Sequence, residues 1–312
     1  MSLFKLINDL LLLSDTEFTS YLQTVPFRYK RFHIKKRNSN DYRQIAQPAR
    51  AVKKLQTFAV NELKKKIPIH SAAMAYCEGR GIKQNAMVHL NSRYMLKMDL
   101  KSFFDSISPC ILFEILDKHN FEYGTKDKFL ISQLFFWKLQ RNSPLRLSVG
   151  APSSPFISNA IMYFFDHEVA DYCKRNMIKY TRYADDLTFS TNKENVLKDI
   201  EKLVRSTLRT HFGKDIKVNR DKTVHTSKAH NRHVTGVTLS SENKLSIGRD
   251  RKRRIRAAVF QYCNNQLPPD ETLKLKGYLG FAKHIEPDFI IKLKKKYGDE
   301  HIRQIQNFSL DD

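Results

Sequence analysis

The chain has 312 residues, of which 41% are hydrophobic, enough to bury a sizeable core in two or three lobes. Its 55 Lys and Arg against 32 Asp and Glu leave a formal charge of +23, which points to a polyanionic partner. Cys77, Cys110, Cys173 and Cys263 lack Cys-x-x-Cys spacing and stand in apolar surroundings, so neither a zinc site nor a disulfide framework is indicated. The first predicted element is a helix carrying Leu10, Leu11, Leu12 and Leu13, a run too short to span a bilayer. Asp9, Ser14, Asp15 and Glu17 surround that run without a basic leader or cleavage site, which predicts a cytoplasmic protein whose first helix packs on the body. Basic residues interleave with aromatics along the chain, which favours nucleic acid over an anionic membrane, and no membrane partner is expected. There is no internal repeat, Gly/Ser linker or low-complexity tract.

Residues 94–99 read as a strand ending at Asp99, followed by a turn through Phe103, Phe104 and Asp105. Ser108 is the expected cap of the next helix, with Pro109 at its first position. Asp105 reads as a turn residue, not a ligand. Gly150 and Ala151 would let a template or nucleotide approach the backbone, and Ser154-Pro155 would start a helix. Phe156, Ile157, Ala160, Ile161, Phe164 and Phe165 then form the buried stripe of that helix. Residues 178–190 are β-branched, aromatic and alternating, which predicts a hairpin with Ala184, Asp185 and Asp186 at its tip. Successive strand residues face opposite ways, so adjacent aspartates can cooperate only at such a turn. With Asp99 they supply hard oxygen donors of the kind a two-metal phosphoryl-transfer site needs, with cations about 3.5–4 Å apart. Residues 193–212 carry Val196, Leu197, Ile200, Leu203, Val204 and Leu208 at helical spacing, an amphipathic helix packing on a sheet. After a turn at 240–243, residues 248–259 form a helix with six basic positions, Arg249, Arg251, Lys252, Arg253, Arg254 and Arg256, and a narrow stripe of Ile255, Ala258 and Val259. Such a density of cations reads either as a solvated face or as a phosphate-gripping one, the second being favoured. Gly298 is the expected stop of the last helix.

Met98-Asp99-Leu100 with Phe103-Phe104, Gly150-Ala151-Pro152-Ser153-Ser154-Pro155 and Tyr183-Ala184-Asp185-Asp186 resemble, in this order, the first three palm motifs of reverse transcriptases. The resemblance implies an α+β right-hand polymerase: N-terminal helices and fingers over 1–97, a palm with an antiparallel sheet over 98–239 interrupted by a fingers insertion at about 112–150, and a basic helical thumb over 240–312. It further implies that Asp99, Asp185 and Asp186 hold two Mg2+ ions, that Lys222 assists departing pyrophosphate, that Arg43 grips the triphosphate of a deoxynucleotide, and that Phe104 is the steric gate under the sugar. One departure is Ser148-Val149, where the family often has Pro-Gln before the glycine. The glutamine contact beside nucleotide and template is therefore absent.

Asn85-Ala86-Met87-Val88-His89 and Val234-Thr235-Gly236 resemble elements of the retron group, where they are associated with recognition of a structured RNA. Read alone, His89 could be a satisfied core histidine and Gly236 a bend between strands. The retron resemblance implies binding of a cognate structured non-coding RNA, priming from a 2′-hydroxyl of that RNA, and copying into single-stranded DNA, giving a branched RNA–DNA product (msDNA). It also implies antiviral defence with a separate effector protein, the sequence leaving no room for a fused one, and removal of copied template by a cellular RNase H. The alternatives are another bacterial reverse transcriptase of intron or phage-resistance type, against which the absence of a maturase-like domain counts, and a catalytically silent RNA-binding scaffold.

Overall fold

In the computed structural model, which describes residues 2–35 and 40–310, the first 90 residues build a helical and hairpin lobe. Helix α1 (Leu3–Leu11) buries Leu3, Phe4 and Ile7 on one face, while Leu12 just beyond it is 90% exposed. The helix therefore packs through its first two turns, and of the leucine run only Leu11 is partly buried. Helix α2 (Asp15–Thr24) opens with a reciprocal capping box between Ser14 and Glu17. Strands β1 (Tyr29–Lys35) and β2 (Tyr42–Pro48) form an antiparallel hairpin, and helices α3 (Arg50–Lys64) and α4 (Ile82–His89) follow.

The centre is a four-stranded antiparallel sheet. Its first strand, β3 (Tyr94–Leu100), is buried on both faces and leads through the short helix α5 (Phe103–Ser106) into α6 (Pro109–Lys118), with Ser108 at the N-cap and Pro109 in the first turn. Helix α7 (Thr125–Phe135) and the paired two-residue strands β4 (Phe136–Trp137) and β5 (Arg146–Leu147) form an excursion that returns to the α5–α6 junction at Leu147, whose N–H donates to Ile107 O at 3.0 Å. Next come α8 (Ser154–Ile161), α9 (Tyr163–Arg175), the hairpin β6 (Lys179–Tyr183) and β7 (Asp186–Thr191), α10 (Leu197–Phe212) and β8 (Val218–Ser227). The sheet order is β6-β7-β3-β8.

Two boundaries differ from the periodicity. The stripe from Phe156 to Phe165 belongs to two helices broken at Met162, with Ser153 rather than Ser154 at the N-cap, and Phe164 is only partly buried. The helix expected from residue 193 starts at Leu197, because Asn195 takes a left-handed φ of 64° that a right-handed helix cannot continue through.

The C-terminal lobe begins with a small sheet, order β11-β10-β9, of β9 (Arg232–Val234), β10 (Val237–Leu239) and β11 (Leu245–Ser246). Four helices complete it: α11 (Arg249–Cys263), α12 (Pro269–Ile285), α13 (Pro287–Tyr297) and α14 (Asp299–Asn307). Gly298, with φ 90°, ends α13 as expected but also starts α14, so α13 is not the last helix. Ile255, Val259, Leu275, Leu279 and Phe289 form a core separate from the main one, and Ala86 and Met95 from earlier in the chain join it. All four cysteines are free, but Cys110 is exposed, contrary to its apolar sequence neighbourhood, because it lies on the outer face of α6. No helix among the described residues is long and apolar enough to cross a membrane.

Candidate active site

The β6–β7 hairpin closes with a two-residue turn, Ala184-Asp185, between the paired Tyr183 and Asp186. Ala184 adopts a left-handed φ of 56°, which tightens the turn. On the neighbouring strand Asp186 lies directly opposite Asp99, and directly opposed residues share a face with Cβ atoms about 4.5–5.5 Å apart. The Leu100 N–H donates to Asp185 O at 3.0 Å, which ties the turn to the end of β3. Three carboxylates thus come from one hairpin and one strand end.

Their electrostatics follow from this crowding. Burial, with the charges of Asp185 and Asp99 nearby, pushes the Asp186 carboxyl up to about 6. Burial and the Asp99 charge also raise Asp185, opposed by Arg43 and Lys222. Lys222 Nζ donates to Asp99 Oδ2 at 2.9 Å. A register irregularity delivers it: β3 advances only from Lys97 to Asp99 while β8 runs from Val224 back to Asn219. The extra β8 residues bulge outward and carry Lys222 over the site. Among the described residues no three His, Cys, Asp or Glu side chains already converge at ligand spacing. The donor set nonetheless suits a hard divalent cation, which would offset the burial and mutual repulsion that raise Asp185 and Asp186.

Around this cluster, Arg43 is exposed on β2, and its charge acts on both Asp185 and Tyr76. Phe103 is buried, whereas Phe104 is half-buried beside it, ring centroids 5.7 Å apart. Gly150, at φ 123°, sits so close to β2 that a Cβ would meet Ile45 Cγ2 at 3.0 Å and Ala46 O at 3.1 Å. The Ala46 N–H donates to Val149 O at 3.0 Å, and the Ser148 hydroxyl donates to Ala46 O. Close backbone approach at Gly150 is therefore used by the chain's own strand, and Ser148-Val149 joins the N-terminal hairpin to the sheet region. Asp105 faces Arg146 at 3.9 Å, away from the carboxylate cluster's pairings.

The motif residues upstream and downstream behave differently from surface recognition elements. Asn85 and His89 are 1% and 0% exposed, so neither presents a surface to RNA. Thr181 Oγ1 donates to Asn85 Oδ1 at 2.6 Å, Asn85 Nδ2 donates to Thr235 Oγ1 at 3.4 Å, and the His89 ring nitrogens lie 2.7 Å from the Thr181 and Ser190 hydroxyls. Burial holds His89 down to about 3, hence neutral. Val234 is also buried, and it pairs with Val237 across a Thr235-Gly236 turn whose φ values are 47° and 81°. Two positive φ values define a tight hairpin turn, unusual for a β-branched residue at its first position. On α11, Arg249, Arg253, Arg254 and Arg256 are exposed. Arg251 instead donates to Gly236 O at 3.2 Å and stacks over Phe281, and Lys252 pairs with Glu286 Oε1 at 2.5 Å.

Two site neighbours escaped the sequence reading. Tyr76, 53% exposed at φ 61°, feels the charge of Asp185, and nothing in its local sequence marks it. Arg182 is wholly buried, and strand alternation could have found it, since it shares a face with the apolar Tyr180.

Residues 34–239 match the family model described as reverse transcriptase (RNA-dependent DNA polymerase). Over 283 residues the chain is 48% identical to the Retron Ec83 reverse transcriptase of Escherichia coli, covering 90% of each. It is 32% identical over 321 residues to the Retron Ec73 reverse transcriptase of the same species, covering 98% of each. Among solved structures it is similar to apo telomerase from Candida tropicalis, with a TM-score of 0.51 and 15% identity over 90% of this chain and 58% of that one. A telomerase from Candida albicans in complex with a fragment of telomeric RNA gives the same TM-score at 11% identity, over 91% of this chain and 66% of that one. The chain belongs to the reverse transcriptases, as a retron-type RNA-directed DNA polymerase with the right-hand polymerase fold. Polymerases of this family use divalent metal ions.

Proposed function

We propose that this reverse transcriptase binds a cognate structured non-coding RNA and copies part of it into single-stranded DNA, starting from a 2′-hydroxyl of that RNA. The observation that carries the reading is the opposition of Asp99 and Asp186 across two strands, with Asp185 on the adjoining turn and Lys222 delivered by the β8 bulge. The retron relatives support its finer part. In this reading residues 1–97 are N-terminal helices and fingers, 98–239 the palm with an insertion at about 112–150, and 240–312 the thumb.

Asp99 and Asp185, with Asp186, would hold two Mg2+ ions. When bound, the ions lower the pKa of the attacking hydroxyl and stabilise the pyrophosphate leaving group. Arg43 reaches over the site from β2 and clamps the triphosphate, a task its planar fork suits. Phe104, half-buried at the edge of the core, stands under the sugar and selects deoxynucleotides. Lys222 gives up Asp99 when the site fills and serves the departing phosphates. Gly150 supports the nucleotide side indirectly, by letting β2 lie against the second motif.

The four exposed arginines of α11 contact RNA phosphates, while Arg251 and Lys252 brace the helix against Gly236 and Glu286. The exposed part of the Val234-Thr235-Gly236 turn is the RNA-facing part of that motif, and buried Asn85 and His89 hold it from behind. The product is a branched RNA–DNA molecule made in the bacterial cytoplasm, with template removed by a cellular RNase H and an effector supplied as a separate polypeptide in phage defence.

Expression with the native flanking DNA tests the proposal. Copurifying nucleic acid should contain a discrete DNA band that shortens on ribonuclease treatment, and Asp185→Asn should lose that band while retaining the RNA. DNA of unchanged size after ribonuclease would reject the branched product, and DNA made by Asp185→Asn would reject the metal assignment.

A further inference from the structure

Behind the Ala184-Asp185 turn lies an ion pair that touches neither solvent nor any of the residues assigned to chemistry. Arg182 and Asp166 are both 0% exposed. The guanidinium engages Asp166 through Nε, at 2.9 and 3.1 Å from the two carboxylate oxygens, and through Nη2 at 2.7 Å. Tyr180 completes the carboxylate's shell by donating to Oδ1 at 2.7 Å. The remaining nitrogen, Nη1, donates to Ala184 O at 3.1 Å and to Asn159 Oδ1 at 3.0 Å. Ala184 is the left-handed residue of the turn, immediately before Asp185.

The same residue reaches in a second direction through its backbone. The Arg182 N–H donates to Ala72 O at 2.8 Å, and Arg182 O accepts from the Met74 N–H at 2.7 Å. Asn159 Nδ2 donates to Ala75 O at 2.8 Å, one residue before Tyr76. A single guanidinium therefore joins α9, α8 and the catalytic turn, while the backbone of the same residue and the Asn159 amide hold the segment that carries Tyr76. Buried charges of this kind add little net stability compared with apolar packing, so their geometry is the more telling feature. An arginine fork can hold a carboxylate on one edge and aim its other nitrogen at a fixed carbonyl, whereas a lysine offers one point charge.

We infer that Arg182, held by Asp166, is a positioning residue for the catalytic turn: its guanidinium fixes Ala184 O and thereby the placement of Asp185 against Asp99. This rests on the assignment of Asp185 to the metal site. Asp166 orients the fork, and Asn159 shares the third nitrogen, so the clamp reads the position of the turn against two helices of the palm rather than against the sheet alone.

Hydrogen–deuterium exchange of peptides covering 183–187, measured on full-length enzyme without metal, tests it alongside DNA synthesis on a primed template, scaled to the folded fraction. Arg182→Lys should raise exchange at the turn at least tenfold and lower kcat more than tenfold, with KM for deoxynucleotide within about twofold and RNA binding unchanged. Unchanged exchange and unchanged kcat per folded molecule would overturn the inference. Should Arg182→Lys fail to fold, the apolar replacement Arg182→Met/Asp166→Leu/Tyr180→Phe is expected to fold and to show the same loosened turn. If that variant also fails to fold, the cluster is a requirement of the fold and the positioning role is rejected. Asp185→Asn separates the two readings: it should abolish synthesis with turn exchange unaltered, and its retained activity would sink the metal assignment without touching the clamp.

Discussion

The central sheet region and the C-terminal lobe handle charge in opposite ways. The sheet and the helices against it bury Asp99, Asp166, Arg182 and Asn159, and His89 of α4 behind them, within reach of the β6–β7 hairpin, each with a hydrogen-bond or ionic partner. From residue 248 onward the only buried polar side chain among the described residues is Thr272, and the arginines of α11 stand outside an apolar core. A buried polar group costs free energy unless it is satisfied, so a region that collects them has geometry to enforce. A region that keeps charge outside keeps it for a solvated partner whose exact position matters less. On the proposed reading, the contrast gives precision to the hairpin and affinity to α11.

The strongest way to break this comparison is at the hairpin tip. Asp185→Asn should reduce DNA synthesis by more than about a thousandfold, as loss of a group acting only in the transition state does, while filter binding of the copurified RNA stays near wild type. Arg182→Met takes the ion-pair partner from the wholly buried Asp166, and should cost about 3–5 kcal/mol in urea unfolding.

His89 sharpens the contrast through pH. Its folded pKa, about 3, lies below the unfolded value, so between those values the unfolded chain binds the proton and the folded chain does not. Stability from this group therefore falls as pH drops from about 6.5 towards 3, by about 3 kcal/mol at pH 4 on the rule of 1.36 kcal/mol per unit. Asp186 acts in the opposite sense, because its raised pKa favours the folded state below pH 6. The comparison of His89→Gln with wild type in thermal melts at pH 7 and pH 4.5 cancels the aspartate and isolates the histidine. The gap between the two proteins should narrow on acidification.

The smallest effect on stability belongs to α11. Changing Arg249, Arg253, Arg254 and Arg256 together to Gln should move unfolding by less than about 0.5 kcal/mol per site. The same variant should lose RNA affinity, and the slope of log affinity against log salt should shrink by about 3, at roughly 0.7 per lost phosphate contact. A large drop in stability with an unaltered salt slope would erase the distinction between the lobes.

Legibility in the sequence followed the same divide. The hairpin, the strand end at Asp99 and the helix started by Pro109 are set by neighbours in the chain, through alternation, turn chemistry and capping, and they were readable there. Asp99 opposite Asp186, Lys222 over Asp99 and Gly150 under β2 depend on register and on a bulge, which no local pattern encodes. Asn85, His89 and Val234 are read as recognition residues through their resemblance to retron elements, with a satisfied core histidine as the alternative at His89. The packing of α4, β6 and the β9–β10 turn decides for burial at all three. The α11 helix is legible in extent, but its six cations divide into four exposed and two braced against partners that include Glu286, Phe281 and Gly236, which lie far away in the chain or across a turn.

The ammonium of Lys222 beside Asp99 has a consequence for the life of the protein before it meets any metal. A cluster of acids is ordinarily a liability during folding, since its members repel until something neutralises them. Here the chain brings its own counter-ion, tethered on a strand that folds with the site. On the proposed metal assignment, the polymerase can therefore assemble with its centre already partly neutralised. Loading that centre would exchange one cation for another at Asp99, so chelation should lower the melting temperature only by the metal binding left over after Lys222 is displaced.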